Sequence, residues 1–376
     1  MARLRHFIDL EEFTSEEVLQ LLELAGEMEA RVRYEKATRG GSPIAPLLPY
    51  RIMASLFWEP STRTRLSFET AMLRLGGSVV GFAEASTSSV AKGESLADTI
   101  RMCAHYADCI AMRHPKDGAA YLAAKFSPVP VLNGGDGGHL HPSQTLLDLY
   151  TIYKEFGTLS GLKVALCGDL LYGRTTHSLA VALAAFGSDC VAVSPEELEL
   201  PPHVLHHLET RYGRRVEQRR ELAGGLGDIQ VLYMTRIQKE RFEDSGVYER
   251  MAHVYRLDRR VMDEAPAEMI VMHPLPRLDE IAVEVDDDPR ARYFEQAFNG
   301  VPARMALILV LMGHTRLVGE AGVNWRVPTV FEGECANSRC ITHFDANAGP
   351  EFYELEPGRP ADGLACRYCD RVRDQV

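Results

Sequence analysis

The sequence predicts an α/β protein: two doubly wound parallel-sheet domains joined by bridging helices, followed by a small C-terminal domain rich in β-strand and turns. Three observations predict it. Short apolar runs bounded by loop residues alternate with amphipathic helical stretches, the pattern of parallel sheets covered on both faces. A chain of 376 residues is too long for one ordinary core and suits two or three domains of about 100–200 residues each. From Val327 onward there is little helical period, many turn residues and four cysteines.

The first element is a helix after Thr14. Thr14 and Glu17 have capping-box spacing, and Val18, Leu21, Leu22, Ala25 and Met28 form one apolar stripe. A loop through Gly40, Gly41, Pro43 and Pro46 leads to residues 51–57, a short apolar run that reads as a buried strand. It ends before Pro60, and a helix with Phe68, Met72 and Leu75 on one face begins at once. The same unit recurs where residues 162–167 give way to a Gly168-Asp169 loop and a helix at 177–186. Strand runs return at 191–193, 230–234 and 269–272. A domain boundary is expected near Pro142, with a helix at 146–156 as the bridge. The apolar segment 302–312 is the closing helix, and Gly313 ends it. The divisions are therefore 1–142, 143–300, a closing helix within 301–319 that returns to the first domain, and 320–376.

Composition removes several classes of function. Hydrophobic residues at 46% and charged ones at 25% describe a folded globular protein rather than a disordered one. No apolar run approaches the ~20 residues of a membrane-spanning helix, and the start, MARLRHFIDLEEF, places acids where a signal peptide keeps an apolar stretch. The expected location is cytoplasmic. With 41 basic against 53 acidic side chains the net charge is -12, so the surface repels phosphate backbones and nucleic acid is a poor partner. An anionic small substrate would need a pocket that concentrates arginines against that field.

Such a concentration occurs at Glu59-Pro60-Ser61-Thr62-Arg63-Thr64-Arg65, where a strand meets a helix start. Free N–H groups at a helix N-terminus, three hydroxyls and an arginine make a phosphate cradle, although a capped helix with surface arginines has the same letters. The longer string FWEPSTRTRLSFE resembles the phosphate-binding signature of the aspartate and ornithine carbamoyltransferases. SSVAKGESLADT, MRHP, NGGDG followed by HPSQTLLDLYTI, GDLLYGRT, YMTRIQKER and HPLPR follow in the family's order, so the resemblance spans about residues 1 to 315. Ornithine enzymes carry a His-Cys-Leu-Pro segment. Here His273-Pro274-Leu275-Pro276-Arg277 stands in its place, which favours the aspartate branch.

The resemblance implies transfer of a carbamoyl group from carbamoyl phosphate to the amine of aspartate, an early step of pyrimidine biosynthesis, with no cofactor at the catalytic site. Residues 1–142 would bind carbamoyl phosphate and 143–300 aspartate. Ser61, Thr62, Arg63 and Thr64 would grip the phosphate, while Thr64, Arg113 and His141 point donors at the carbonyl oxygen. Gln144 and the backbone at Leu275 and Pro276 would hold the carbamoyl amide. Arg174, Arg236 and Gln238 would hold aspartate, with Asp169 orienting Arg174; two carboxylates suit planar guanidinium forks. Ser88 and Lys92 lie in a polar loop that in this family enters the active site of the adjacent subunit, which implies a homotrimer with shared sites. Two alternatives stay open: a different acceptor amine, and an inactive scaffold that assembles a complex. Leu140 and Ser143, where a polar residue and a threonine are usual, depart from the family pattern.

The eight cysteines divide evenly. Cys103, Cys109, Cys167 and Cys190 read as small buried hydrophobes. Cys335 and Cys340 are separated by four residues, Cys366 and Cys369 by two, and the pairs by 25, a spacing that suits one tetrahedral zinc per chain better than disulfides. CANSRCITH and CRYCD resemble the zinc domain of the aspartate carbamoyltransferase regulatory chain, here fused to a catalytic chain and without room for a nucleotide-binding effector domain. The resemblance implies a structural zinc domain that grips a neighbouring catalytic subunit and helps join trimers. A nucleic-acid-binding ribbon is disfavoured, because residues 320–376 hold ten acidic and six basic side chains, 6 − 10 = −4.

Overall fold

The computed structural model describes residues 5–38, 45–84, 86, 89–237, 255–319, 326–355 and 363–373. It divides into one unit formed by Met1–Ser143 with Gly300–Val376 and a second formed by Gln144–Asn299.

In the first unit, Thr14 and Glu17 form the predicted reciprocal cap, and helix α1 (Ser15–Ala37) follows with Val18, Leu21, Leu22, Ala25 and Met28 buried. Four parallel strands come next, β1 (Ile52–Phe57), β2 (Ser78–Phe82), β3 (Cys109–His114) and β4 (Val131–Asp136), in the order β2-β1-β3-β4. Helices α2 (Thr62–Arg74), α3 (Leu96–Tyr106) and α4 (Ala119–Phe126) make the crossovers. β1 and β3 are buried along almost their whole length, which is why they read as continuous apolar runs and not as alternating ones.

Helix α5 (Pro142–Phe156) carries the chain into the second unit. There β5 (Lys163–Cys167), α6 (Arg174–Ala185), β6 (Asp189–Val193), α7 (Pro202–Tyr212), β7 (Glu217–Arg219), β8 (Val231–Met234), α8 (Arg259–Glu264) and β9 (Ile270–Met272) build a parallel sheet of order β7-β6-β5-β8-β9. Helix α9 (Tyr293–Leu311) brings the chain back. It begins nine residues before the predicted start at Pro302, which sits inside it. The apolar segment 302–312 is only its second half, since polar residues interrupt 293–301.

Both sheets reverse their winding once. The first winds from β1 to β2 and then crosses to β3 on the other side of β1; the second winds from β5 through β7 and crosses to β8. In an open parallel sheet the crevice beyond the strands' carboxyl ends at such a reversal is where ligands bind.

The tail forms a small antiparallel sheet of β10 (Phe352–Glu354), β11 (Leu364–Cys366) and β12 (Val372–Arg373). It lies on the unit that begins its own chain. Cys335, Cys340, Ile341, Phe352 and Tyr368 share one core with Ile110, Met112, Ala119 and Tyr121. Polar contacts fix the register. Cys340 bridges Asp117, and the Asp345 carboxylate accepts the Leu96 N–H at 2.8 Å, capping α3. Arg326, fully buried, pairs with Asp9, Glu11 and Asp370.

Gly118 shows how close the approach is. It has φ +81°, and a Cβ there would lie 2.5 Å from the Tyr368 carbonyl oxygen. Gly118→Ala should therefore lower stability by roughly 1–3 kcal/mol in urea unfolding, as overpacked sites do; an unchanged midpoint would mean that the tail is not seated there.

Candidate functional site

At the carboxyl ends of β1 and β3 the first unit gathers its cations. Phe57 pairs with Arg113 in the sheet, so the loop after β1 and the end of β3 emerge side by side. Ser61 is the N-cap of α2 but its hydroxyl makes no capping bond, and the first helical turn, which holds Thr62, Arg63 and Thr64, contains no acid. These donors share the positive end of the helix. Arg63 is exposed, yet desolvation of its head and the neighbouring Arg113 both lower its pKa. Among the described residues no carboxylate pairs with it. Arg113 is held instead by Glu59, whose Oε1 accepts from Nε at 2.5 Å. His114, buried against Trp58, is pushed down to about 4 by burial and stays neutral.

The loop after β4 adds His141, which is buried. Its Nε2 lies 3.4 Å from Thr64 Oγ1 and its Nδ1 3.5 Å from Ser143 Oγ. Ser143 Oγ in turn accepts from Arg304 Nη2 at 3.2 Å, and the Arg304 guanidinium, buried in α9, stands 4.7 Å over the Phe68 ring. Thr64, Arg113 and His141 are thus brought to one place. Lys92 is exposed at the end of the short 3-10 turn Ser89–Lys92. Ser88 lies outside the described residues.

The second unit has a parallel arrangement at its own reversal. Cys167 at the end of β5 pairs with Met234 at the end of β8, so Arg174, the first residue of α6, and Arg236, two residues past β8, emerge at the same edge. Gly168 allows the two loops to touch: with φ +115°, a Cβ there would stand 2.3 Å from the Thr235 carbonyl oxygen. Asp169 accepts the Tyr172 N–H at 3.0 Å and so shapes the turn that presents Arg174. Gln144 donates to Asp148 at 2.9 Å, and the same buried carboxylate receives Gln296 and the Tyr233 hydroxyl. After β9, His273 Nδ1 accepts the Leu275 N–H at 2.8 Å while Nε2 faces Glu280 at 2.8 Å. That contact orders the Leu275-Pro276 turn, whose peptide bond is cis. Gln238 lies outside the described residues.

Residues 5–154 match the aspartate/ornithine carbamoyltransferase carbamoyl-P binding domain and residues 160–311 its Asp/Orn binding domain. The chain belongs to the aspartate/ornithine carbamoyltransferase family. It is 52% identical over 310 residues to the aspartate carbamoyltransferase catalytic subunit of Methanopyrus kandleri, covering 82% of this chain and 97% of that one. The same subunit of Methanothrix thermoacetophila is 50% identical over 312 residues, with 83% and 99% covered. Among solved structures, the catalytic subunit of M. jannaschii aspartate transcarbamoylase aligns with TM-score 0.75 and 47% identity over 82% of this chain and 98% of its own. Aspartate transcarbamoylase from Trypanosoma cruzi, in complex with N-(phosphonacetyl)-L-aspartic acid, aligns with TM-score 0.75 and 39% identity, with 81% and 95% covered.

The tail lies beyond the matched residues. Its four cysteines are buried, and their sulfurs all lie within 4.8 Å of one another. Cys335 and Cys369 are 3.6 Å apart, Cys340 and Cys366 3.8 Å. A disulfide needs about 2.05 Å, whereas a tetrahedron with metal–sulfur bonds of about 2.3 Å has edges of about 3.8 Å. The sulfur set therefore fits a tetrahedrally bound metal ion. Sequence spacing found these ligands, but it missed Arg304 and His139, whose partners are far away along the chain. The only local signal for Arg304 was a cation inside an apolar helix.

Metal analysis of the purified chain should find one bound divalent ion per chain. Cys366→Ser should lose it and melt at a lower temperature; a metal-free wild type with unchanged stability would contradict the site.

Proposed function

We infer that this chain transfers the carbamoyl group of carbamoyl phosphate to the amine of L-aspartate, giving N-carbamoyl-L-aspartate and phosphate. The observation that carries the reading is Arg63: a cation with no carboxylate partner among the described residues, set beside Arg113 at the helix start where β1 and β3 part. A doubly charged phosphate ester supplies the missing anion.

In this reading Ser61, Thr62, Arg63 and Thr64 hold the phosphate. Arg113, Thr64 and His141 meet the carbonyl oxygen, where negative charge develops when the amine attacks. Ser143 tunes His141. Its oxygen accepts from Arg304, so its own hydrogen is free to go to His141 Nδ1, which leaves the ring proton on Nε2, the atom that faces Thr64. Gln144 and the Leu275-Pro276 backbone take the carbamoyl amide. Arg174, Arg236 and Gln238 take the two carboxylates of aspartate. The new nitrogen–carbon bond forms as the carbon–oxygen bond to phosphate breaks, and the amine's proton leaves with the phosphate. Positioning and fixed positive charge supply the catalysis.

Ser88 and Lys92 serve the site of an adjacent subunit, and the working unit is a homotrimer. What supports this is the exposed place of Lys92 together with the motif that contains it. The ion held by the four cysteines is zinc, because an all-thiolate tetrahedron favours it and its role here is structural.

Assays with carbamoyl phosphate should yield carbamoyl aspartate from aspartate and no citrulline from ornithine. Arg63→Ala should retain the fold and lose roughly 100- to 1000-fold in turnover, the usual cost of one oxyanion or phosphate donor; full activity in that variant would overturn the reading. Lys92→Ala should be equally impaired. When the two inactive variants are unfolded and refolded together, activity should return, because some sites then receive both intact contributions; no recovery would mean that each chain completes its own site.

A further inference from the structure

His139 lies two residues before His141 and takes no part in the chemistry above. Its side chain is only 7% exposed, and both ring nitrogens face carboxylates: Nδ1 is 3.3 Å from Asp136 Oδ2 and Nε2 is 2.9 Å from Asp370 Oδ2. Asp136 ends β4. Asp370 belongs to the tail and follows the metal-ligating Cys369 directly. The turn that joins β4 to His141 is therefore tied to the tail through one imidazole.

A second tie runs beside the first. Gly138 N–H donates to Asp117 Oδ1 at 2.7 Å, and Asp117 Oδ2 accepts from Asn337 of the tail at 2.8 Å. The Asp117 backbone also bonds to both sides of Cys340: its N–H donates to the Arg339 carbonyl, and its carbonyl accepts the Ile341 N–H. Asp136 completes the frame by accepting from Gly118 N–H at 2.8 Å and from Leu140 N–H at 3.2 Å. Two of these anchors thus lead within two residues to a cysteine of the cluster, Asp370 to Cys369 and Asn337 to Cys335, while Gly137 N–H donates to the His114 carbonyl at 2.8 Å.

We propose that His139, clamped between Asp136 and the tail's Asp370, is a positioning residue for His141, so that the metal-stapled tail holds the carbonyl-binding turn of its own chain. The geometry gives the clamp its consequence. His141 meets Thr64 at 3.4 Å, at the outer limit of a hydrogen bond, so a small shift of the turn breaks that contact. The sulfur cluster fixes Cys340 and Cys369, these fix Asp117 and Asp370, and the two carboxylates hold the turn at its adjacent residues Gly138 and His139. The inference rests on the assignment of His141 to the carbonyl oxygen, but the clamp itself does not.

The test is placed on His139, because Asp370 adjoins a metal ligand. His139→Ala should keep its bound metal, lose roughly 10- to 100-fold in kcat, as small misplacements of catalytic groups do, and leave the KM for aspartate nearly unchanged. His139→Gln, whose amide carries two N–H donors for the two carboxylates, should recover most of the loss. Hydrogen–deuterium exchange of a peptide covering residues 134–141 should quicken in His139→Ala. It should quicken likewise when a chelator strips the metal from the wild type, and slow again when zinc is returned. Wild-type kcat in His139→Ala, equal losses in the alanine and glutamine variants, or exchange unmoved by chelation would each overturn the clamp. The chelation arm needs no variant to fold. Wild-type turnover measured alongside separates the two readings: an inactive wild type sinks the proposed activity, while the exchange data still decide the clamp.

Discussion

The structure depends on uncompensated positive charge held at the reversal of a parallel sheet. Arg63 stands at the start of α2, beside Arg113 at the end of β3, with no carboxylate partner among the described residues. Two guanidiniums in proximity repel each other, and the protein as a whole is acidic by twelve charges, so any stray carboxylate would be drawn into the gap. The fold keeps such groups out by construction. Parallel strands deliver only their carboxyl ends to this edge, and the helix that follows begins with hydroxyls rather than acids. Glu59, in the loop after β1, is spent on Arg113. The same device is repeated in the second unit, where the ends of β5 and β8 present Arg174 and Arg236. In the proposed reading a dianionic donor and a dicarboxylic acceptor would thus each meet a site made by topology more than by any local sequence.

That division explains what could be read from the chain in advance. Strand β1 and its junction with α2 were legible because burial on both faces makes a continuous apolar run and because hydroxyl and guanidinium groups mark the helix start. The cap at Thr14 and Glu17 was legible because both partners lie within one turn. The cysteine ligands were legible from spacing alone. Strand β2 was harder: it is an edge strand with an exposed Val80 and a central Gly81, so neither a clean alternation nor an apolar run identifies it. The start of α9 was misread because Glu295, Gln296, Asn299 and Gly300 interrupt its first half and proline lies in the middle.

The docking of the tail was not legible at all, for a physical reason. Ile341, Phe352 and Tyr368 of the tail join the core of the first unit, but its register is set by charges that pair over long separations: Arg326 with Asp9 and Glu11, His139 with Asp370, Asp345 with the N-terminus of α3. Each partner taken alone looks like an ordinary surface residue. Burying such groups costs several kcal/mol per ion before pairing offsets it, so the network contributes little net stability. Its contribution is to specificity. A misregistered tail would leave Arg326 or Asp370 buried and unpaired, and that penalty falls on every alternative seat but not on the native one.

A covalently attached tail also differs in kind from a separate subunit that makes the same contacts. A partner chain must overcome the entropy of association, and at low concentration it leaves. Here the linker keeps the tail at high effective concentration, so even contacts that are weak one by one remain occupied. Beside the shared apolar core, the contacts can then include polar pairs exacting in geometry, which suits a segment that lies against the turn leading to His141. A greasy interface would tolerate sliding by an ångström, whereas paired carboxylates on opposite sides of an imidazole do not. A metal ion held by the sulfur cluster would offset the cost of ordering the tail through bonds made within the tail itself, independent of the occupancy of the active site.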